Sequence, residues 1–135
     1  MAAPLRSDSI GKLVLRLTLG LLLSFHGVSK LMHPAGAINY ISGQLTSAGL
    51  PTFLAYGVFI GEVLAPIMIV LGIYSRIGGL IVVINMIFAV LLVHASQIFS
   101  LATTGGWTLE LQAFYLFAGL ALVFLGSGKI AVTPD

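Results

Sequence analysis

Residues 80–93, LIVVINMIFAVLLV, carry a single polar side chain, Asn85. A run of this kind lacks the alternation of polar and apolar residues that a membrane β-strand requires. In hydrocarbon, a single segment can pair all of its backbone N–H and C=O groups internally only as a helix. The run therefore predicts a membrane-embedded helix, and it places the chain in the all-α class of polytopic membrane proteins.

The composition of the whole chain supports this class. Hydrophobic residues make up 59% of the 135 residues and charged residues 7%, whereas soluble domains carry about 25% charge. So few charges cannot solvate the surface of a soluble domain of this size, which excludes that class as well as disorder. The net charge of +2 comes without a basic patch interleaved with aromatic residues, so no nucleic-acid partner is expected.

Cysteine is absent from the sequence. This excludes a disulfide framework, a thiolate metal site, an iron–sulfur cluster and a redox dithiol. Any redox chemistry must therefore belong to a bound cofactor or to a partner protein.

Four apolar segments are long enough to cross about 30 Å of hydrocarbon, which takes about 20 helical residues. They cover residues of about 10–32, 53–73, 77–97 and 107–125. The first is a span rather than a cleaved signal peptide, because its apolar run is too long and no A-x-A-like site follows it. We expect one membrane domain over residues 1–135, folded as a bundle of four transmembrane helices.

A fifth, shorter helix is predicted between the first two spans, at about residues 37–48. Ile38, Ile41 and Leu45 recur there at helical spacing with polar residues between them. An amphipathic segment of this length is typical of a helix that lies on the bilayer surface.

Basic residues predict the orientation. If the spans alternate, Arg6, Lys12, Arg76 and Lys129 share one side of the membrane, while Lys30 is the only such residue on the other. The positive-inside rule then places both termini in the cytoplasm. Arg16 is expected to snorkel toward the cytoplasmic interface, on the same side as Arg76.

Ionisable residues within spans are costly, and each needs a partner or a function. Here they are Arg16, His26, Lys30, Glu62, His94 and Glu110. At about 100° per residue, Arg16, His26 and Lys30 fall within an arc of about 80° on the first helix. Gly20 and Gly27 share this arc, where small residues let a neighbouring helix approach closely.

Counting depth along the helices places five of these residues in the outer half of the bilayer: His26, Lys30, Glu62, His94 and Glu110. We expect them to form one polar site that binds a ligand or handles protons. Trp107, Phe114 and Phe117 share a helical face with Glu110, and such an aromatic wall suits a planar ligand.

Other interpretations of the same residues stay open. Arg16 and Lys30 balance Glu62 and Glu110, so ion pairs alone could fix the helix register. His26 and His94 could together ligate haem, or with the two glutamates a divalent metal. Asn85 lies about 180° from His94 on the third helix, so the two are not expected to face the same centre.

Three stretches resemble the DoxX family of membrane proteins. They are RLTLGLLLSFHGVSKL at 16–31, GEVLAPIMIVLGIYSR at 61–76 and ELQAFYLFAGL at 110–120, with His94 between the last two. The resemblance covers nearly the whole chain. It implies a four-helix protein of the bacterial inner membrane, associated with quinone-linked sulfur oxidation or with oxidoreductase assemblies that handle thiol or oxidative stress. The resemblance also implies which residues are functional: Arg16, His26, Lys30, Glu62, Arg76, His94 and Glu110. It does not imply a substrate.

The favoured function is a redox-associated subunit that binds a quinone or another small ligand. His26 and His94 would face a carbonyl oxygen of the ligand, because imidazole exchanges protons near neutral pH. Glu62 and Glu110 would carry protons or hold the histidine tautomers, and Lys30 would offset their charge. The chain has no nucleotide-binding motif, so we expect a subunit of a homo-oligomer or larger membrane complex rather than an independent enzyme.

Two rival functions are a transporter for a small solute or for protons, and a structural or assembly subunit held by a buried ion-pair network. Inward-facing ionisable residues would serve either of them.

The orientation leads to the first prediction. A green fluorescent protein fused after Asp135 should fluoresce, and alkaline phosphatase fused at the same point should be inactive, because both termini are expected in the cytoplasm. Fusions in the loop between residues 98 and 106 should show the opposite pair of results. Active phosphatase after Asp135 would reverse the orientation.

Overall fold

The computed structural model describes residues 7–135, so Arg6 lies outside the described residues. Within them the chain forms five helices of two turns or more. These are α1 (Asp8–Met32), α2 (Pro34–Ser47), α3 (Thr52–Leu71), α4 (Ser75–Val93) and α5 (Glu110–Leu125). Residues 7–135 contain no strand beyond an isolated bridge between Leu101 and Trp107. The all-α class is therefore confirmed.

Three of these helices, α1, α3 and α4, are long and apolar enough to cross a membrane. Their exterior fits that environment, because many large apolar side chains face outward. Phe25 is 71% exposed and Phe124 is 75% exposed. In water such a surface would be a large unpartnered apolar patch, whereas in a bilayer it contacts lipid.

Two helix ends differ from the sequence expectation. Helix α4 ends at Val93, because His94 leaves the helical conformation (φ −114°, ψ 12°) and a short 3₁₀ turn follows. Helix α5 begins at Glu110 rather than at residue 107. The preceding chain folds back on itself, with the N–H of Ala102 donating to the carbonyl of Gly106 (2.7 Å).

Helix α3 is irregular, and Pro66 explains why. Proline has no N–H to donate to the carbonyl four residues earlier, and its ring clashes with that carbonyl. The carbonyl in question belongs to Glu62. The helix widens there into a π turn over Ile60–Leu64 before it resumes as a regular α-helix at Ala65.

Glycines set the closest approaches between helices. Gly27 of α1 lies against the Glu62 carbonyl, and a Cβ atom at Gly27 would overlap that oxygen. Gly79 of α4 and Gly119 of α5 face each other in the same way, each backbone close to the other's carbonyl oxygen. The four long helices thus form a ring in which each contacts the next, α1 with α3, α3 with α4, α4 with α5, and α5 with α1.

Arg16 is 1% exposed, so the expectation that it snorkels to the interface is wrong. Its guanidinium donates to four backbone carbonyls, those of Ile69 (3.0 Å), Val70 (3.0 Å), Ser127 (2.9 Å) and Ile130 (2.7 Å). Ile69 and Val70 lie in the last turn of α3, where carbonyls lack the full set of helical donors, and the Ile69 carbonyl also accepts from the Gly72 N–H (3.3 Å). Arg16 therefore ties α1 to the end of α3 and to the C-terminal segment.

The C-terminal segment, residues 126–135, closes the same end of the bundle. The N–H groups of Val132 and Thr133 donate to the carbonyls of Leu71 and Gly72, at 3.1 and 3.0 Å. Gly72 ends α3 in the left-handed conformation (φ 71°), and a side chain there would collide with the Arg16 guanidinium.

An exposed ion pair fastens the last residue of this segment. Arg76 Nε lies 2.6 Å from Asp135 Oδ2, and Arg76 also donates to the carbonyls of Val123 and Phe124 at the end of α5. The hydrogen bond from Arg76 lowers the pKa of the Asp135 carboxyl. The pair is therefore complete at neutral pH and is lost as the pH falls through that lowered pKa.

The second prediction concerns Arg16. Arg16→Met should lower the free energy of unfolding by about 3 kcal/mol or more, because it leaves several buried carbonyls without donors. The thermal unfolding midpoint in detergent measures this, and faster proteolysis of the segment after Gly126 should accompany it. Lys129→Met removes the same charge from an exposed position in that segment and serves as the control. Equal unfolding midpoints for the two variants would contradict the role given to Arg16.

Candidate functional site

A cavity of about 570 Å³ lies at the end of the bundle opposite Arg16. Helices α1, α3, α4 and α5 all contribute to its wall, and α2 contributes Tyr40 and Leu45. Its volume falls in the range of pockets that enclose a drug-sized ligand. Most of its wall is aliphatic, and a few polar side chains project from it: His26, Lys30, Tyr40, Glu62, Asn85, His94, Gln112 and Tyr115.

An ion pair between Lys30 and Glu62 joins α1 to α3 in the cavity wall. Lys30 Nζ donates to Glu62 Oε1 (3.0 Å) and lies 2.9 Å from Oε2, so the ammonium sits against both carboxylate oxygens. Glu62 is 7% exposed. Gly27 makes this pair possible, because it lets α1 approach the π turn that carries Glu62.

His26 contacts the ring of Tyr115 across the gap between α1 and α5. The two ring centroids are 5.9 Å apart and the planes meet at 84°, an edge-to-face arrangement. Tyr115 is 8% exposed and belongs to the core as well as to the cavity wall. Tyr115 is absent from the residues predicted from the sequence, although a phenol group in a predicted membrane helix is a signal that could have found it.

His94 lines the cavity from the end of α4. Its Nδ1 lies 2.8 Å from Gln97 Oε1. With this oxygen accepting, Nδ1 carries the proton and Nε2 is left as a hydrogen-bond acceptor.

Asn85 lines the same cavity, so the expectation that Asn85 and His94 face different centres is wrong. Extrapolating helical phase from Asn85 to His94 fails because the helix ends at Val93. The Asn85 side chain also packs directly on Gly61 of the π turn.

Glu110 stands apart from the cavity. It is exposed at the first position of α5, with its carboxylate beside Gly106, and it is not among the residues that line the cavity. Helical phase explains the difference. Leu111 and Tyr115, four residues apart, face the cavity, and Glu110 lies about 100° away from Leu111.

The predicted aromatic wall also lies elsewhere. Trp107 and Phe117 line a separate apolar groove of about 290 Å³ between α4 and α5. The Trp107 indole donates to the carbonyl of Ile98 (2.8 Å), and Phe114 is 77% exposed. The structure thus brings together His26, Lys30, Glu62 and His94 of the predicted site residues.

Gln112 separates the cavity from this groove and contributes to the walls of both. Its side-chain oxygen is buried and accepts no hydrogen bond from any residue between 7 and 135. A buried amide oxygen without a donor is costly, and this is the one such side-chain atom found within residues 7–135.

The sequence left open that His26 and His94 ligate haem, or with the two glutamates a divalent metal. Within residues 7–135 no group of three or more His, Asp or Glu side chains is placed to hold a metal ion. His26 and His94 both reach the cavity, from α1 and from the end of α4. What the cavity offers is hydrogen bonding from two imidazoles, two phenols, two amides and a charged pair, set among aliphatic walls.

Comparison with known proteins gives one family and one relative. A family model described as DoxX matches residues 11–95, from α1 to just beyond α4. A protein of Bacillus subtilis (strain 168) named "Putative oxidoreductase CatD" is 28% identical over 129 residues, which cover 96% of this chain and 89% of that protein. No solved structure matches the chain.

The third prediction tests the ion pair by a double-mutant cycle of Lys30→Met and Glu62→Leu. We expect a coupling energy of about 1–3 kcal/mol in the free energy of unfolding, because each single change leaves a charge at low dielectric. The pair of Asp8 and Lys12 (2.8 Å), in which Asp8 is exposed, is the control. Its coupling should stay below about 0.5 kcal/mol. Additive effects of the Lys30 and Glu62 changes would contradict the coupling.

Proposed function

The chain belongs to the DoxX family, and from this premise we propose that it is a redox-associated membrane subunit whose cavity binds a small carbonyl-bearing ligand such as a quinone head group. Family membership and the relative's name support the redox association. The observation that carries the ligand class is the wall of the cavity, where polar side chains project singly from an aliphatic surface. Pockets for small organic ligands have this composition.

The polar groups divide into donors and acceptors in a way that suits a quinone and its reduced form. The Lys30 ammonium and the Tyr115 hydroxyl can donate to a carbonyl oxygen. His94 Nε2 can accept from the hydroxyl of a quinol. His26 and His94 would handle the protons, because imidazole exchanges protons near neutral pH.

The Lys30–Glu62 pair would keep the cavity electrically neutral. A lone charge inside the membrane is costly, whereas two opposite charges held in contact offset each other. In this proposal the pair orients the ligand, and Glu110 lies outside the binding site.

We further propose that residues 1–135 form a single domain of the bacterial inner membrane with four spans, α5 being the fourth. Lys12, Arg16, Arg76 and Lys129 then lie at the cytoplasmic side, and the cavity opens in the outer half. Helix α2, whose Leu45 is buried while Tyr40 is 56% exposed, would lie at the outer interface over the cavity. The chain would assemble as a homo-oligomer or within a larger complex, and a different protein of that complex would supply the redox partner.

The packing below the cavity favours a binding site over a transport route. Between the cavity and Arg16 lie Leu19, Ile69, Val82 and Leu122, each of which is at most 2% exposed. Arg16 and the C-terminal segment close the bundle beneath this layer. A solute would have to disrupt both layers in order to pass.

The fourth prediction is that the protein purified in mild detergent retains quinone in its extracted lipid, and that it binds added decylubiquinone in lipid nanodiscs. Glu62→Gln should weaken this binding about tenfold, a loss of about 1.4 kcal/mol, because the variant leaves Lys30 unpaired in the cavity wall. Glu110→Gln makes the same chemical change outside the cavity and should bind as the native protein does.

Two results would contradict the proposal. One is the absence of both retained quinone and decylubiquinone binding in the native protein. The other is an equal effect of Glu62→Gln and Glu110→Gln, since the cavity would then not be the binding site.

A further inference from the structure

The cavity has an open side between α3 and α4. The lower part of α3, residues 60–71, packs on α4, whereas its first turn, Thr52–Tyr56, packs mainly on α2. The two helices therefore diverge above the π turn. Asn85 packed on Gly61 marks the floor of the gap.

The residues on either side of this gap are apolar and half exposed. Leu54 (38% exposed) and Ile60 (51%) stand on α3, and Ile84 (48%) and Phe88 (49%) stand on α4. All four also line the cavity. These side chains thus combine exposure with a place in the cavity wall, as expected at a mouth that faces hydrocarbon.

From this arrangement, and resting on the proposed function, we infer that the ligand is a lipid-soluble amphiphile that enters sideways from the bilayer between α3 and α4. Its polar ring occupies the cavity, and its hydrocarbon tail leaves through the gap and stays in the lipid.

Two physical arguments support a tailed ligand. First, a mouth lined by Leu54, Ile60, Ile84 and Phe88 offers no hydrogen bond to replace the hydration of a polar solute, whereas a hydrocarbon tail loses nothing there. Second, a cavity of about 570 Å³ holds a drug-sized body. A long chain attached to that body must therefore extend outside, and the gap is where the cavity meets the lipid.

The test uses the full-length protein in nanodiscs and two probes with the same ring. Decylubiquinone carries a ten-carbon tail, and 2,3-dimethoxy-5-methyl-1,4-benzoquinone carries none. Ile84→Trp places a large ring in the gap. Leu80→Trp is the matched control, since Leu80 is also 48% exposed, lies one turn earlier on the same face of α4 and does not line the cavity.

We expect Ile84→Trp to weaken decylubiquinone binding about tenfold or more, and binding of the tailless ring by less than about threefold. Leu80→Trp should change neither. Ile60→Trp obstructs the gap from α3 and should behave like Ile84→Trp, which keeps the test decisive if one variant does not fold.

The outcomes separate this inference from the proposed function. If the native protein binds both probes and the gap variants weaken both equally, weaken neither, or act no differently from Leu80→Trp, the lateral entrance is overturned and the proposed function stands. If the native protein binds neither probe, the proposed function fails and this inference fails with it.

Discussion

This fold depends on how backbone carbonyls that cannot reach water are supplied with hydrogen-bond donors. In hydrocarbon each one needs a donor from the protein, and a helix end or a proline removes the donor that the helix would supply. Helix α3 meets both difficulties within a few residues. Pro66 removes the helical donor of the Glu62 carbonyl, and the last turn of the helix lacks the full set of donors for its carbonyls. The helix widens into a π turn just before Pro66, and the Arg16 guanidinium donates to the carbonyls of Ile69 and Val70.

The widened turn divides the bundle into a closed half and an open half. Below it, glycines bring the helices into backbone contact, as Gly79 and Gly119 do between α4 and α5. Above it, α3 departs from α4, and space opens under α2. Gly27 lies at the division, where its lack of a side chain lets α1 meet the turn and brings Lys30 to Glu62. A single irregularity in one helix thus produces both the cavity and its ion pair.

Apolar periodicity and the cost of charge in lipid were enough to predict the all-α class, the helical segments and the glycine-bearing face of α1. They also predicted that Lys30 and Glu62 lie close together, because opposite charges at similar depth have few other partners. Helical phase failed at His94, because the helix ends at Val93 and phase holds only within one continuous helix. Glu110 was grouped with the cavity residues from its depth and charge, and neither gives the direction in which its side chain faces. The role of Arg16 could not be predicted from the sequence either, because its partners are backbone carbonyls. Every residue type has such a carbonyl, so the sequence does not show which ones accept. Two of them lie more than a hundred residues away along the chain.

The use of donors explains why stability and binding occupy opposite ends of the molecule. At the closed end, Arg16 gives its N–H groups to carbonyls of the fold itself, so this charge holds the structure together and has little capacity left for a ligand. At the open end the balance is different. The Gln112 side-chain oxygen has no donor within residues 7–135, and the hydrogen bond from Nδ1 to Gln97 leaves Nε2 of His94 as an acceptor. Unsatisfied polar atoms destabilise a bundle that has no ligand. Under the proposed function, a ligand in the cavity would donate to His94 Nε2, whereas the Arg16 N–H groups are already engaged by carbonyls of the fold.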